Sequence, residues 1–185
     1  DSMLLHEILK YESLELVIGL ELDQQVTRGA FKHFGAGSQP HFDNEKVQWW
    51  YGDAAKTMLM LPKEYYGSFD IVLVDLSETV MSLLVTDGLD ILTALSLLLK
   101  QEGIFIKNEM YFEQLSEIFQ HTIQIHYLDV PLICNQAMSL GSKSVDFLKT
   151  KLTDHKVETM FEPVKELDHD FVLVHDSRTN HSAFQ

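Results

Sequence analysis

The chain has 185 residues, enough for one domain with a sizeable core and few for two. Hydrophobic residues make up 45% and charged residues 23%, an ordinary balance for a soluble globular protein. The net charge of −14, from 14 Lys and Arg against 28 Asp and Glu, argues against a surface that tracks nucleic-acid phosphates, and no apolar run is long enough to span a membrane.

Segments of helical and strand pattern alternate along the chain. Met3, Leu4, Leu5, Ile8 and Leu9 recur at helical spacing and predict a helix over 2–11. "LELVIGLEL" (14–22) is a short apolar run that suits a buried parallel strand. "DQQVTRGAFKHFG" has an Asp start and a Gly stop around a helix, and "GAGSQPHFDN" (35–44) reads as a loop. "KVQWWY" (46–51) is extended, "DAAKTMLML" (53–61) a short helix and "FDIVLVD" (69–75) a strand. A long apolar helix is expected at about 86–100. It is followed by a strand in "GIFIKNE" (103–109), a helix in "YFEQLSEIFQHT" and a strand in "IQIHYLD" (123–129). "SVDFLKT" (144–150) and "DFVLVHD" (170–176) are further candidate strands, and "SRTNHSAFQ" is a tail. Strands separated by single helices imply βαβ units, hence an α/β fold with a mostly parallel sheet covered on both faces.

In open α/β sheets ligands bind beyond the carboxyl ends of the strands. Acids fall there repeatedly: Glu21 and Asp23, Asp53, Asp75 and Glu109. One such acid is readily explained as a helix cap, because Asp accepts from free backbone N–H groups. Four strands ending this way point to a ligand rim. A carboxylate there can accept both hydroxyls of a ribose, another an adenine amino group, and a third can hold or deprotonate an amine.

The ordered set "GLELDQQV", "YGDA" and "FDIVLVDLSE" resembles the spermidine/spermine synthase family of aminopropyltransferases, whose fold is Rossmann-like and of the class I methyltransferase type. "DSMLLHEILKY" is similar to the Asp and helix that follow the family's Gly-rich loop, and "LELDQQVTRGAFKHF" to its "EID" strand end and next helix. "LLLKQEGIFIKNEMYF" is similar to the helix and strand after the catalytic acid. The resemblance covers roughly residues 1–150, a nucleoside-binding catalytic domain, and leaves 151–185 as a C-terminal extension with one further strand and a tail. It places the family's first strand, Gly-rich loop and N-terminal hairpin domain upstream of residue 1.

What the resemblance implies is transfer of an aminopropyl group from decarboxylated S-adenosylmethionine to a small cationic polyamine. The resemblance implies a homodimer and a reaction without a metal, and no nucleic-acid or membrane partner is expected. Asp1 would contact the amine end of the nucleoside substrate, Glu21 the ribose hydroxyls, and Asp53, with Ala54, the adenine amino group. Asp75 would position and deprotonate the attacking amine. The chain departs from the family after Asp75, where it reads Leu76-Ser77-Glu78-Thr79, closer to the Asp-Leu-Thr form of spermine synthases. Glu78 stands for the family's second acid, and Glu109 is a further substrate-binding candidate. The family's Pro-Thr-Tyr-Pro-Ser-Gly segment is replaced by "VPLICNQAMSLGSKS", so Tyr127 and Gln136 are candidates for the lost polar contact. Two alternatives stay open: a methyltransferase that uses S-adenosylmethionine itself, and a non-catalytic family member that acts as a binding partner.

The remaining motifs carry less. The nine histidines show no spaced pair with a supporting acid, so no metal site is expected. "GAGS" follows a helix rather than a strand and "GSKS" lacks the upstream Gly of a P-loop. Cys134, the one cysteine, gives no intrachain disulfide and reads as a small buried residue. No signal peptide is visible and a cytoplasmic location is expected, with an organelle-targeting segment ahead of residue 1 left open.

Overall fold

The computed structural model describes residues 2–34, 38–76, 84–127 and 137–150, with Tyr127 and 171–176 described by backbone alone. The described residues fall into two compact units, one up to Met60 and the other from Leu61 onward. No helix among the described residues is long and apolar enough to cross a membrane.

In the first unit α1 (Met3–Ile8), β1 (Val17–Glu21), α2 (Gln24–Phe34), β2 (Val47–Tyr51) and α3 (Ala54–Met60) follow in order. β1 and β2 pair in parallel from Val17 opposite Val47 to Glu21 opposite Tyr51, so both strands end at one rim. Parallel neighbours need a crossover, which α2 supplies. α2 is tied to the sheet through Thr27, whose Oγ1 lies 3.1 Å from the Tyr51 hydroxyl. Tyr51 stacks on Trp49 at 5.7 Å, and Trp49 Nε1 donates to the Pro40 carbonyl at 2.7 Å. Trp49 is therefore the tryptophan on the α2 side of the strand, and alternation turns Trp50 the other way.

Gly19 makes room for that indole: a Cβ on Gly19 would lie 2.5 Å from Trp49 Cε3. Gly19→Ala should therefore destabilise the fold by about 1–3 kcal/mol, the usual cost of overpacking a filled site. The check is a urea titration, in which the midpoint should fall while the slope stays the same. An unmoved midpoint would mean that the ring yields without cost.

The second unit contains β3 (Phe69–Val74), β4 (Leu84–Thr86), β5 (Leu89–Asp90), α4 (Ile91–Ser96), β6 (Leu99–Asn108), α5 (Phe112–Ile118), β7 (His121–Tyr127), β8 (Ala137–Ser142) and β9 (Phe171–Asp176). Five strands form one sheet in the order β3-β6-β8-β7-β9. β3 and β6 are parallel, and β8 is antiparallel to both β6 and β7. It follows that β6 and β7 run the same way, joined by α5, with β8 inserted between them. β9 runs against β7 at the far edge. Its core is built from Ile91, Leu95, Leu99, Phe105, Leu115 and Phe119, all buried. Gly141 lets the Phe119 ring close directly onto β8.

Three elements differ from expectation, each for a local reason. The helix expected at 86–100 is confined to Ile91–Ser96. Gly88, at φ 84°, turns the β4–β5 hairpin, and Asp90 then caps the helix by accepting from the Thr93 N–H and hydroxyl, both at 2.8 Å. At the other end the Leu97 and Leu98 carbonyls accept from the Gly67 and Phe69 N–H groups, which takes them out of the helix. The strand expected at 144–150 is instead a turn, in which the Lys149 and Thr150 N–H groups both donate to the Asp146 carbonyl. The strand lies earlier, at β8, whose "AMSLGS" has little intrinsic strand preference. Pairing on both sides imposes it, helped by Ser142 Oγ donating to the Gly103 carbonyl at 2.9 Å. Lastly, β3 is buried on one face only: Val72 and Val74 are buried, while Ile71 and Leu73 are 54% and 39% exposed.

Candidate active site

At the rim of the first unit, Glu21 Oε1 accepts from the Asp23 N–H at 3.1 Å, which folds the carboxylate over the turn that opens α2. Asp23 Oδ1 accepts from the Gln25 N–H at 2.8 Å and caps that helix. At the end of β2, Gly52 takes a φ of 134°, a conformation open to glycine. Its N–H donates to the Glu21 carbonyl at 2.9 Å and ties the two strand ends together. Asp53 follows at once, with Oδ1 accepting from the Ala55 N–H at 2.9 Å. Its carbonyl accepts from the Thr57 hydroxyl at 3.0 Å.

The helix-cap explanation thus holds for Asp53, but it occupies one carboxylate oxygen. Glu21 and Asp53 each keep a second oxygen with no bond among the described residues, and both side chains are partly exposed. Two carboxylates at adjacent strand ends can accept from hydroxyl and amino hydrogens of one ligand. Ala54 opens α3 between Asp53 and Ala55, where a helix start leaves N–H groups without an intrahelical partner. The cleft of about 440 Å³ in this unit, lined by Arg28, Phe31, His41 and Phe42 among others, includes none of these residues.

In the second unit the β3–β6 register pairs Leu73 with Ile106 and Val74 with Lys107, which brings Asp75 level with Asn108. Alternation sets Asp75 and Asn108 on the face of Leu73 and Ile106. There the Asn108 side-chain amide donates from Nδ2 to Asp75 Oδ1 at 3.2 Å. Lys107 points the opposite way and is 0% exposed. A buried ammonium has to be paired. Lys107 Nζ donates to the Asn108 carbonyl at 2.6 Å and to Glu109 Oε2 at 3.0 Å, and stands 4.6 Å from the centre of the Tyr111 ring.

Glu109 has a φ of 88°, a strained backbone for a residue with a side chain and one that costs about 1–3 kcal/mol. Four hydrogen bonds around it hold the turn. Its N–H donates to the Ala137 carbonyl at 2.8 Å, and its carbonyl accepts from Ser139 Oγ at 2.9 Å. Ser139 Oγ accepts from the Tyr111 N–H at 2.8 Å, and Lys107 holds the carboxylate. The Glu109 side chain is 55% exposed, so one oxygen serves the ion pair and the group still reaches solvent.

The structure therefore brings Glu21, Asp53 and Ala54 together at one rim, and Asp75 and Glu109 at the end of another strand pair. Asp1, Glu78 and Gln136 lie outside the described residues. Tyr127 ends β7 opposite Phe171, and its side chain is outside the description. Sequence reasoning missed Asn108 and Lys107. Their signal was present in "IFIKNE" as strand parity, but it could be read only once the register with β3 was known. Among the described residues no group of three or more His, Cys, Asp or Glu side chains is placed to hold a metal ion.

In each unit a parallel strand pair carries carboxylates at its C-terminal end, and in the second an antiparallel strand, β8, is inserted between β6 and β7, with β9 antiparallel at the edge; this is a Rossmann-like α/β arrangement of the class I methyltransferase type. The family model described as "Spermine/spermidine synthase domain" matches residues 1–140, and the chain belongs to that family. Among solved structures, a spermidine synthase in complex with the transition-state analogue AdoDATO is 18% identical at a TM-score of 0.61, over 77% of this chain and 51% of that one. The spermidine synthase from Thermotoga maritima is 21% identical at a TM-score of 0.59, over 77% of this chain and 49% of that one. At these identities the likeness is one of fold, and the chain spans about half the length of the structures it matches. No curated protein matches the chain.

Proposed function

We propose that the chain is the catalytic core of an aminopropyltransferase of the spermidine/spermine synthase type, moving the aminopropyl group of decarboxylated S-adenosylmethionine to the amine of a polyamine. The observation that carries this proposal is Asp75: a carboxylate at the end of β3, oriented by the Asn108 amide, in a chain of this family. Glu21 and Asp53 fit the nucleoside, since each offers a carboxylate oxygen beside a backbone-anchored one. Ala54 supports the adenine side, and Asp1 the amine end of the donor. The AdoDATO complex of a similar spermidine synthase supports the choice of donor.

In the reaction the amine nitrogen forms a bond to the aminopropyl carbon as the carbon–sulfur bond breaks. The electron pair goes to the sulfonium, which departs as the neutral thioether methylthioadenosine. The amine proton passes to Asp75 or to water beside it. Placement and deprotonation carry the step, with the sulfonium already a good leaving group. Glu78, Tyr127 and Gln136 are proposed to contact the polyamine, and Glu109, whose charge Lys107 offsets, to offer its remaining carboxylate oxygen as an acceptor. A net charge of −14 suits a cationic substrate. The proposal carries a cytoplasmic location and a homodimer with it.

The test is incubation of the full-length protein with decarboxylated S-adenosylmethionine and putrescine, spermidine or spermine, following methylthioadenosine by mass spectrometry. Amine-dependent release is expected. Tight binding of S-adenosylmethionine with no such release would move the assignment to a methyltransferase, and failure to bind either donor would leave a non-catalytic partner.

A further inference from the structure

Lys107 and Asn108 are successive residues with opposite tasks. Alternation along β6 sends the lysine to the buried face and the asparagine to the face of Asp75. The ammonium of Lys107 is spent on the Asn108 carbonyl, the Glu109 carboxylate and the Tyr111 ring. What reaches Asp75 is a neutral amide donor, Asn108 Nδ2, 3.2 Å from Oδ1.

That choice of donor has a chemical consequence. A lysine or arginine on Asp75 would hold its orientation but would cancel its charge and repel a cationic amine. An amide orients the carboxylate and leaves its full charge for the substrate. The bond also takes a single oxygen, so the other has no bond among the described residues. Asn108 in turn cannot drift, because its own carbonyl is clamped by Lys107 at 2.6 Å and the next residue is locked at both its N–H and its carbonyl.

We propose that Asn108 is a positioning residue for the transfer reaction: its side-chain amide fixes the rotation of the Asp75 carboxylate so that one oxygen faces the incoming amine. This inference rests on the aminopropyltransferase reading of Asp75. Loss of the amide leaves Asp75 in place but free to rotate, and misplacement of a reacting group on this scale costs about 10- to 100-fold in rate.

The experiment has two arms. In the first, the side-chain amide signal of Asn108 is followed by ¹⁵N–¹H NMR in the wild-type protein and in Asp75→Asn, which replaces a charged acceptor with a neutral one. The signal should move, and an unmoved signal would overturn the contact whether or not the protein turns over. In the second, kcat and the amine KM are measured for Asn108→Ala and Asn108→Gln, with circular dichroism confirming the fold. Asn108→Ala should lose about 10- to 100-fold in kcat with little change in KM, and Asn108→Gln, which keeps an amide donor, should recover part of that loss. Wild-type turnover with an undiminished kcat in Asn108→Ala would overturn the positioning role. Absence of wild-type turnover would instead remove the aminopropyltransferase reading, and with it the catalytic part of this role, while the NMR arm still decides the contact.

Discussion

Asp75→Asn should lower amine-dependent methylthioadenosine release by about 10²- to 10⁴-fold, the range over which a positioned acid–base group contributes. An aliphatic amine of the lysine kind has a pKa of about 10.4, so near pH 7 the substrate is an ammonium with no lone pair to attack with. On the proposed reading Asp75 holds that cation and takes away its proton. Asparagine keeps the shape and can still accept from the Asn108 amide through its oxygen, so the local structure should survive. Nucleoside binding by the first unit should be unaffected, which calorimetry with methylthioadenosine can establish. The sign of the pH dependence follows. With Asp75 gone, the reaction must await amine that is already neutral, and its rate should rise about tenfold per pH unit between pH 7 and 9. A variant with wild-type rate and a flat pH profile would remove Asp75 from the chemistry.

Glu21→Ala should weaken nucleoside binding by about 10- to 100-fold. Hydrogen bonds to a charged group are worth about 1.5–3 kcal/mol, and each 1.4 kcal/mol is tenfold in affinity. On the proposed reading the carboxylate is pre-set for that contact, since the Asp23 N–H holds Oε1 and the strand end itself is tied to Gly52. Little organisation is left to be done on binding. The loss should appear in the Kd for methylthioadenosine and in the KM for the donor, with kcat at saturation largely kept, because ribose contacts serve ground and transition states alike. A fall in kcat at unchanged affinity would place Glu21 in the chemistry instead.

The two families of acids illustrate how much of the site was legible beforehand. Glu21, Asp53 and Asp75 each follow a short, largely apolar run that suits a strand, so their arrival at a strand end was readable from local pattern. Glu109 was readable in the same way, but its pairing with Lys107 was not. A lysine inside an apolar run gives no sign of whether it reaches solvent or is buried beneath a later tyrosine. β8 was missed for a related reason. Its alanine, serines and glycine have no strand signature, and the element exists because two neighbours pair with it and two serine hydroxyls, of Ser139 and Ser142, donate to the Glu109 and Gly103 carbonyls. The length of α4 was misjudged because "LLL" reads as helix until the Leu97 and Leu98 carbonyls find partners in another segment.

By itself, then, the sequence determined which residues alternate, which acids end strands and which family the ordered motifs belong to, because these depend on local periodicity and on spacing along the chain. The tertiary structure alone decided which strands are neighbours and in what register. Register is a long-range property, set by pairing between segments some thirty residues apart such as Val74 and Lys107. It is register that turned two unremarked letters of "IKNE" into a buried clamp and an amide donor facing Asp75, since a shift of one residue would have exchanged the two.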